Sequence, residues 1–361
     1  MGDDGMLLNA MQEIFEKGAI LVKNGPIIFD STNIDENERQ NEQRQQESVV
    51  GDLGKRFSGG MLSHGSLYGD IFHVQTKAHA ENIAYTNVAL PPHQDLTYYE
   101  SKPFLQLLHC VNNSSNKTTD DCRIEGGESV LIDAMAAAEE LRHLAPDLFD
   151  VLCRREAIFL KERDQAGMIS PKPHIVCDPT YGQVVEINWS PPFEGPLQPD
   201  PNISIELYVR AYQAMECMLN SPVFSDDNDD NVEGENRQTQ KNYNNSIGSL
   251  LSPDLRRKLQ DYAVQYTWQY ALERGDILVF NNQRMLHGRR EFVSIGGGQR
   301  HLIGCYTESD ATISQYRQLL RDFSPNLLRF GPDDHDRTPP ATVEVAAGYG
   351  NRNAGNGCRW I

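Results

Sequence analysis

The segments Pro92-His93-Gln94-Asp95 and Arg284-Met285-Leu286-His287-Gly288-Arg289 are the most informative part of this chain of 361 residues. His93 and Asp95 stand two residues apart, so an extended backbone projects both side chains to the same face. A distant histidine such as His287 can then complete three ligands on one side of a metal ion. Two histidines and one carboxylate, with open positions opposite, are the ligand set of non-haem Fe(II) oxygenases.

A His-x-Asp/Glu pair is weak evidence by itself. With ten histidines and 51 acidic residues in the chain, chance alone produces such pairs, and His79-Ala80-Glu81 is another example. A loop histidine beside a turn aspartate is therefore the alternative interpretation. The neighbourhood of His287 favours the metal: Gly275-Asp276 is typical of a turn, residues 277–280 read as a short buried strand, and a polar stretch then leads to the histidine.

A second strand-like run, residues 300–307, begins with Arg300. Alternation with a period of two places Arg300, Leu302, Gly304 and Tyr306 on one face. An arginine that reaches into the interior of a β-structure is costly unless a carboxylate meets it, ideally through two charge-assisted hydrogen bonds. A dicarboxylic co-substrate would be such a partner. An internal salt bridge to Asp276 or Glu291 is the alternative.

Several motifs, in the same order along the chain, resemble the γ-butyrobetaine and trimethyllysine dioxygenases, which are Fe(II)- and 2-oxoglutarate-dependent enzymes of carnitine synthesis. The resemblance runs from about residue 51 to about residue 323, with interruptions. It rests on Ala84-Tyr85-Thr86, Leu90-Pro91-Pro92-His93-Gln94-Asp95, Tyr98-Tyr99, Leu105-Gln106-Leu107-Leu108-His109-Cys110, Phe280-Asn281-Asn282-Gln283-Arg284, Leu286-His287-Gly288-Arg289, and Arg300-His301-Leu302 with Gly304-Cys305-Tyr306.

The resemblance implies a double-stranded β-helix, or jelly-roll: a mainly β fold with helices packed outside it. It implies that iron is bound by His93, Asp95 and His287, and that Arg300 holds the distal carboxylate of 2-oxoglutarate. O2 is the second co-substrate, and stimulation by ascorbate is expected. Ser129 matches a hydroxyl position beside 2-oxoglutarate, although a plain turn explains it as well. Arg289 matches a basic position that either lies near the co-substrate or braces the ligand loop.

The substrate implied by the resemblance is a small trimethylammonium compound. Ring faces suit such a cation because it donates no hydrogen bond, and the positions that match the family's aromatic cage are Tyr68, Phe72, Tyr85 and Tyr306. Phe72 departs from the butyrobetaine enzymes, which have tryptophan there. Asn82 and Asn188 match amides near the substrate carboxylate, so γ-butyrobetaine, converted to L-carnitine, is the expected substrate; loop capping is the alternative role for both amides.

Three other functions stay open at this stage. Trimethyllysine, or another small acid such as a sulfonate, could be the substrate of the same iron site. A jelly-roll that binds iron or 2-oxoglutarate without catalysis is the third. The complete set of His93, Asp95, His287 and Arg300 argues against that last function, because loss of a ligand is the usual route to such a protein.

The composition of the chain disfavours some classes of partner and some cellular locations. A formal charge of −18 disfavours nucleic acid and anionic membranes as partners, and no apolar stretch approaches the roughly 20 residues that span a bilayer. The acidic N-terminus is unlike a transit peptide, and seven cysteines without C-x-x-C spacing are typical of reduced thiols. We therefore expect a cytoplasmic protein. The first cysteine is Cys110, so the family's N-terminal zinc module is expected to be missing, and a homodimer stays open.

The pattern of helix and strand signals predicts one catalytic domain over residues 1–323 and a Pro/Gly/Asn-rich tail over 324–361. Polar insertions are expected at about 31–48, 112–121 and 225–246, the first flexible and the last disordered. Predicted helices cover 10–17, 134–143 after an Asp133 cap, a segment opened by Pro146, 204–219 and about 310–322. A strand is expected at 19–22.

Overall fold

A computed structural model describes residues 3–28, 36–63, 67–75, 86–113, 123–163, 166–224, 250–296 and 298–324. Its α-helices are α1 (Asp4–Lys17), α2 (Glu36–Phe57), α3 (Ala134–Leu144), α4 (Pro146–Arg154), α5 (Ile205–Phe224), α6 (Pro253–Ala263) and α7 (Ser309–Phe323). Its strands are β1 (Ala19–Val22), β2 (Ile71–Gln75), β3 (Leu90–His93), β4 (Leu105–Asn113), β5 (Arg123–Gly126), β6 (Ser129–Asp133), β7 (Glu156–Arg163), β8 (Ala166–Pro173), β9 (Ile175–Cys177), β10 (Val184–Ile187), β11 (Thr267–Tyr270), β12 (Ile277–Asn281), β13 (Met285–Arg289), β14 (Phe292–Ile295) and β15 (Arg300–Thr307).

The described residues form two compact units. The first takes its described residues from the ranges 1–90, 101–129 and 269–324, and the second takes its described residues from 91–100 and 130–268. In the first unit, a five-stranded sheet has the order β1-β12-β4-β15-β2, and each neighbouring pair is antiparallel. Strands β5 and β14 form a separate antiparallel pair in the same unit.

Helices α1, α2 and α7 pack their apolar sides together with one face of the five-stranded sheet. Leu7 and Ile14 of α1, Phe57 of α2 and Ile303 and Cys305 of β15 belong to this buried cluster. Removing such side chains from water is the main source of stability, at roughly 25 cal/mol for each Å² of apolar surface. The odd-numbered residues of β15 therefore face the helices.

The other face of β15 contains the residues that the alternation placed with Arg300. Gly304 lies opposite Phe72 of β2, and a Cβ atom at position 304 would lie 2.3 Å from Cζ of Phe72. Only glycine allows this approach. The Phe72 ring stacks on Tyr306 with centroids 4.8 Å apart, so Gly304 and Tyr306 share a face, as predicted.

The second unit contains α3, α4, α5 and α6, the hairpin β7–β8 and the hairpin β9–β10. An aromatic cluster fills its interior, and Trp189 stacks on Tyr212 with ring centroids 4.6 Å apart. His174, with no exposed surface, is 2.8 Å from Asn188 O through Nδ1 and 2.8 Å from the Tyr208 hydroxyl through Nε2. Its imidazole therefore has a core role.

Most of the predicted elements are present. β1 and β15 have the predicted bounds. Asp133 caps α3 by accepting a hydrogen bond from Ala136 N at 3.1 Å, and Pro146 opens α4. Helices α1 and α5 extend beyond their predicted ranges, to Asp4 and Phe224. No helix in the described ranges has the length and apolar character that crossing a membrane requires.

The prediction of a flexible insertion at 31–48 is wrong over residues 36–48, because these form the first part of α2. Gln46 explains why this polar stretch is ordered: its amide accepts from Ile28 N at 2.6 Å and donates to Pro26 O at 3.0 Å. Residues 112 and 113 belong to β4. The rest of the predicted 112–121 insertion, all of 225–246 and the tail from 325 onwards lie outside the described residues.

Candidate active site

The end of β3 and the loop that follows it present the first two candidate ligands. His93 is the last residue of β3 and is 6% exposed. Its Nδ1 lies 2.9 Å from Pro91 O, and because a carbonyl only accepts, this contact assigns the ring proton to Nδ1. The lone pair of Nε2 is then directed to the other side, where Nε2 lies 3.4 Å from Oδ1 of Asp95. A hydrogen bond of this kind orients a histidine for metal binding.

The backbone immediately after Asp95 is strained. Leu96 has φ of 59°, a left-handed conformation that is uncommon for residues other than glycine. The side chain of Leu96 is 1% exposed, so burial compensates for the unfavourable backbone. The chain therefore turns immediately after Asp95.

Gln94, between the two candidate ligands, anchors the loop. Its backbone N–H donates to Trp189 O at 2.9 Å, and its side-chain oxygen accepts from Trp189 N at 3.1 Å. Gln94 and Trp189 are both fully buried. The sequence analysis missed this role. A polar residue between two side chains on one face must point to the opposite face, and a buried amide there needs a partner.

His287 is the central residue of β13, a strand whose five residues are all buried. Its ring centroid lies 5.0 Å from that of Phe280. His93, Asp95 and His287 each present a ligand atom, and these three atoms all lie within 4.8 Å of one another. The donor set of two imidazoles and one carboxylate fits Fe(II).

Arg300, the first residue of β15, is buried and 9% exposed. In the part of the chain that the structure describes, its guanidinium has neither a hydrogen bond nor an ion pair. Of the two alternative partners, Asp276 pairs with Lys23 at 2.9 Å, and Glu291 is exposed. Burial lowers the pKa of Arg300 to about 10. The guanidinium therefore carries a desolvation cost that an anionic ligand would offset.

A cavity of about 480 Å³ lies beside this arginine. It is lined by Gln75, Asn87, Phe292, Val293, Ser294, Gly298, Gln299, Arg300 and His301. Arg300 supplies the buried cation of this lining, and amide and hydroxyl groups surround it. Such a wall suits a small polar anion.

Arg289 uses its guanidinium as a brace. Nη2 donates to Thr86 O at 3.0 Å and to Val88 O at 2.7 Å, and Nη1 donates to Arg290 O at 3.3 Å. The guanidinium also lies over the Phe292 ring, 4.6 Å from its centroid. Burial and, to a smaller extent, the charge of Arg300 lower the pKa of Arg289 to about 9. Of the two roles considered for Arg289, these contacts support the bracing one.

Ser129 begins β6 and is 7% exposed. Two consecutive glycines precede it, Gly126 and Gly127, with φ of 81° and 79°. Gly127 N donates to Glu291 O at 2.9 Å, and Arg290 N donates to Glu128 O at 3.0 Å. A turn of two left-handed residues therefore leads into Ser129. Its contact with a co-substrate stays a prediction.

The predicted substrate residues are only partly described. Phe72 and Tyr306 stack on each other and are 8% and 3% exposed, whereas Tyr68 is half-buried. Asn82 and Tyr85 lie outside the described residues. The Asn188 side chain is buried and donates to Pro173 O at 2.9 Å, which uses one of its two N–H groups.

Comparison with known proteins identifies the family. Residues 7–306 match the model of the family described as "Taurine catabolism dioxygenase TauD, TfdA family". The chain belongs to this family. The match confirms the predicted relationship and, with it, the jelly-roll fold of antiparallel sheet and flanking helices. Dioxygenase chemistry is the class of activity that the family's description names.

The individual relatives share 30% or less of their aligned residues with this chain. The chain is 30% identical to "Dioxygenase str8" of Strobilurus tenacellus, over 70% of this chain and 49% of that protein. It is 28% identical to a γ-butyrobetaine dioxygenase of Pseudomonas sp. (strain AK-1), over 74% and 55%. Identity to the mitochondrial trimethyllysine dioxygenase of Bos taurus is 25%, over 74% and 51%. The chain spans about half the length of these relatives, and identity alone does not select a substrate.

Proposed function

We propose that this protein is an Fe(II)- and 2-oxoglutarate-dependent dioxygenase that hydroxylates γ-butyrobetaine to L-carnitine. The observation that carries the dioxygenase activity is a pairing of two features. Three ligand atoms of the facial-triad type converge within 4.8 Å, and a buried arginine without an anionic partner among the described residues lines a cavity. Each feature suits one of the two groups that such an enzyme binds.

In this proposal His93, through Nε2, Asp95 and His287 hold the iron. When bound, the iron supplies the oxidative chemistry, using O2 and 2-oxoglutarate, which a protein side chain cannot perform. The chain supplies geometry. The hydrogen bond from Nδ1 of His93 to Pro91 O keeps the ring oriented, and the paired contacts of Gln94 with Trp189 hold the loop.

Arg300 binds the distal carboxylate of 2-oxoglutarate in this proposal. Two charge-assisted hydrogen bonds from a planar guanidinium fix the orientation of a carboxylate as well as its position. Ser129 adds a hydroxyl contact. Arg289 acts through the backbone carbonyls of Thr86 and Val88, which lie just before β3 and its histidine.

The choice of γ-butyrobetaine rests on the aromatic pair and on the amides. Phe72 and Tyr306 stack on each other beside Gly304 of β15, and a trimethylammonium group is attracted to such rings by roughly 0.5–2 kcal/mol each. Asn188 keeps one N–H group for the substrate carboxylate. A trimethyllysine pocket would instead offer an acidic partner for the α-ammonium group.

A second candidate, hydroxylation of another small acid, is favoured by one observation. Phe72 and Tyr306 cover each other's faces at a centroid distance of 4.8 Å, so these surfaces are already occupied. A substrate without a quaternary ammonium group would leave this stack intact.

Formation of succinate from 2-oxoglutarate tests the activity. Purified protein with Fe(II) and ascorbate should release succinate in response to γ-butyrobetaine. His287→Ala should lose both turnover and tight Fe(II) binding while keeping its melting temperature, and His143→Ala, an exposed histidine next to the end of α3, should behave as the native protein. Full turnover by His287→Ala would contradict the ligand assignment.

The substrate is tested separately, so that its failure leaves the iron site standing. Trimethyllysine, a panel of small acids and a neutral tert-butyl analogue of γ-butyrobetaine are compared under the same conditions. We expect γ-butyrobetaine to be turned over fastest and Tyr306→Leu to weaken its binding about 2- to 30-fold. Faster turnover of a small acid, with no effect of Tyr306→Leu, would favour the second candidate.

A further inference from the structure

Two thiols of the second unit lie close together. Cys153, in the last turn of α4, and Cys177, the last residue of β9, have Sγ atoms 3.8 Å apart. Both residues are half-buried, whereas Cys110 and Cys305 are buried. The distance suits a hydrogen bond between the sulfurs, and the partial exposure leaves the pair accessible to a small oxidant.

Arg142 of α3 gives this pair a cationic neighbour. Its Nη2 donates to Sγ of Cys177 at 3.4 Å, and its guanidinium lies over the Phe149 ring, 4.3 Å from the centroid. Nε of the same guanidinium lies 3.3 Å from Glu139. A guanidinium held beside a sulfur stabilises the thiolate, which is the reactive form of cysteine.

The two thiols differ in acidity as this geometry requires. The hydrogen bond from Cys153, followed by the charge of Arg142, lowers the pKa of Cys177 against the opposing effect of burial. The same hydrogen bond, together with burial, raises the pKa of Cys153. Cys177 is therefore the more acidic thiol of the pair, and Cys153 lies where it can donate to the Cys177 thiolate.

We propose that Cys153 and Cys177 form a reversible redox site that closes to a disulfide. The Cys177 thiolate attacks one oxygen of hydrogen peroxide. The O–O bond breaks, hydroxide departs, and Cys177 becomes a sulfenic acid. Cys153 then loses its proton and attacks that sulfur, which forms the S–S bond and releases the oxygen as water. In sum, two thiols and one peroxide give one disulfide and two waters, and an external dithiol reverses the change.

The closure is geometrically small. A disulfide bond is about 2.05 Å long, so the sulfurs must approach each other by less than 2 Å from their distance of 3.8 Å. Cys153 lies one residue before the end of α4, where a helix distorts most easily.

The position of Cys177 connects the pair to the ligand loop. Cys177 is opposite Val184 in the hairpin β9–β10, and the two residues after β10 are Asn188 and Trp189. The backbone of Trp189 holds Gln94 between His93 and Asp95. A disulfide that shifts this hairpin is therefore expected to loosen the metal site.

Mass mapping of the thiols tests the site without any activity measurement. The purified full chain is treated with hydrogen peroxide, quenched with an alkylating reagent and digested. We expect linked Cys153 and Cys177 peptides that dithiothreitol separates, and in Cys153→Ser a sulfenic acid trapped at Cys177. No link between these two cysteines, or a link to a different one, would overturn the proposal.

Alkylation rates at pH 7 provide the matched control. Cys177 should react at least tenfold faster than Cys217, another half-buried thiol, whose pKa burial raises to about 11. Arg142→Met should slow Cys177 about 3- to 10-fold and leave Cys217 unchanged, with the melting temperature as a check on folding. Equal rates for the two thiols in the native protein would overturn the proposal.

The connection to the metal site has its own readout. Fe(II) titration under anaerobic conditions should give at least threefold weaker binding to the oxidised protein than to the reduced protein, and dithiothreitol should restore it. Cys153→Ser, exposed to the same peroxide, should keep its affinity. Identical Fe(II) affinity of the linked and reduced forms would show that the disulfide does not affect the ligand loop.

Discussion

Arg289 and Arg300 are two buried arginines of the same unit with opposite surroundings. Arg289 donates to three backbone carbonyls and lies over an aromatic ring. Arg300 has no hydrogen-bond or ion-pair partner among the described residues and lines a cavity of about 480 Å³. Burial lowers the pKa of both. A buried charge that donates to several carbonyls stabilises the fold, whereas a buried charge without such partners costs stability until a ligand arrives.

The largest expected effect belongs to the arginine with partners. Arg289→Met leaves the carbonyls of Thr86, Val88 and Arg290 without their donor, and an unsatisfied buried group costs roughly 1–3 kcal/mol. We expect the free energy of unfolding, measured by urea titration, to fall by about 3–5 kcal/mol. A loss below about 1 kcal/mol would show that the brace contributes little and would weaken the contrast.

Glu194 shows what an incompletely paired, half-buried charge costs where no ligand is expected. Burial raises its pKa from 4.5 to about 7, opposed by a hydrogen bond from Tyr212. The pKa of Glu194 is higher in the folded protein than in the unfolded protein. Its carboxyl therefore lowers the free energy of unfolding most when it is ionised in both states, above pH 7. Glu194→Gln should therefore raise the free energy of unfolding by about 1–3 kcal/mol at pH 8 and by less than about 1 kcal/mol at pH 5.

Glu206→Gln, which changes an exposed carboxyl on α5, is the control for this pH dependence. Because Glu206 lies in the first turn of α5, the substitution should lower the free energy of unfolding by no more than about 1 kcal/mol, and by nearly the same amount at both pH values. An equal gain for Glu194→Gln at pH 5 and pH 8 would mean that the substitution acts through packing rather than through charge.

Arg300→Met should have the smallest effect on stability. Replacing an unpartnered buried cation with an apolar side chain of similar length is often neutral or stabilising. Without 2-oxoglutarate, we expect the free energy of unfolding to stay constant or to rise by up to about 2 kcal/mol in urea titration. A clear fall in the free energy of unfolding would reveal a structural partner, and Arg300 would then stabilise the fold as Arg289 does.

Local patterns predicted the strands and caps near the site. Residues 300–307 alternate with a period of two, so the bounds and the faces of β15 followed from the sequence. Asp133, followed by an alanine-rich run, predicted the start of α3 because an aspartate side chain readily caps a helix N-terminus. The spacing of His93 and Asp95 and the buried strand before His287 made these three residues candidates, and the resemblance to the dioxygenases was needed to select them over another His-x-Glu pair such as His79-Ala80-Glu81.

Long-range contacts account for what the sequence did not reveal. The start of α2 is polar enough to look flexible, and its order depends on Gln46 binding the backbone near Pro26. Gln94 and Trp189 are 95 residues apart in the sequence, and Arg142 and Cys177 are 35 residues apart. Only the folded chain brings the members of each pair together, so no local pattern encodes them.

We propose that 2-oxoglutarate is bound by the guanidinium of Arg300, which has no hydrogen-bond or ion-pair partner among the described residues. Calorimetric titration of 2-oxoglutarate into Fe(II)-loaded protein without oxygen tests it, with native protein, Arg300→Met and the neighbouring Arg290→Met compared side by side. Two lost charge-assisted hydrogen bonds, at roughly 1.5–3 kcal/mol each, predict at least tenfold weaker binding for Arg300→Met. Arg290→Met should bind within about twofold of the native protein. Equal affinity of Arg300→Met and the native protein would contradict the account.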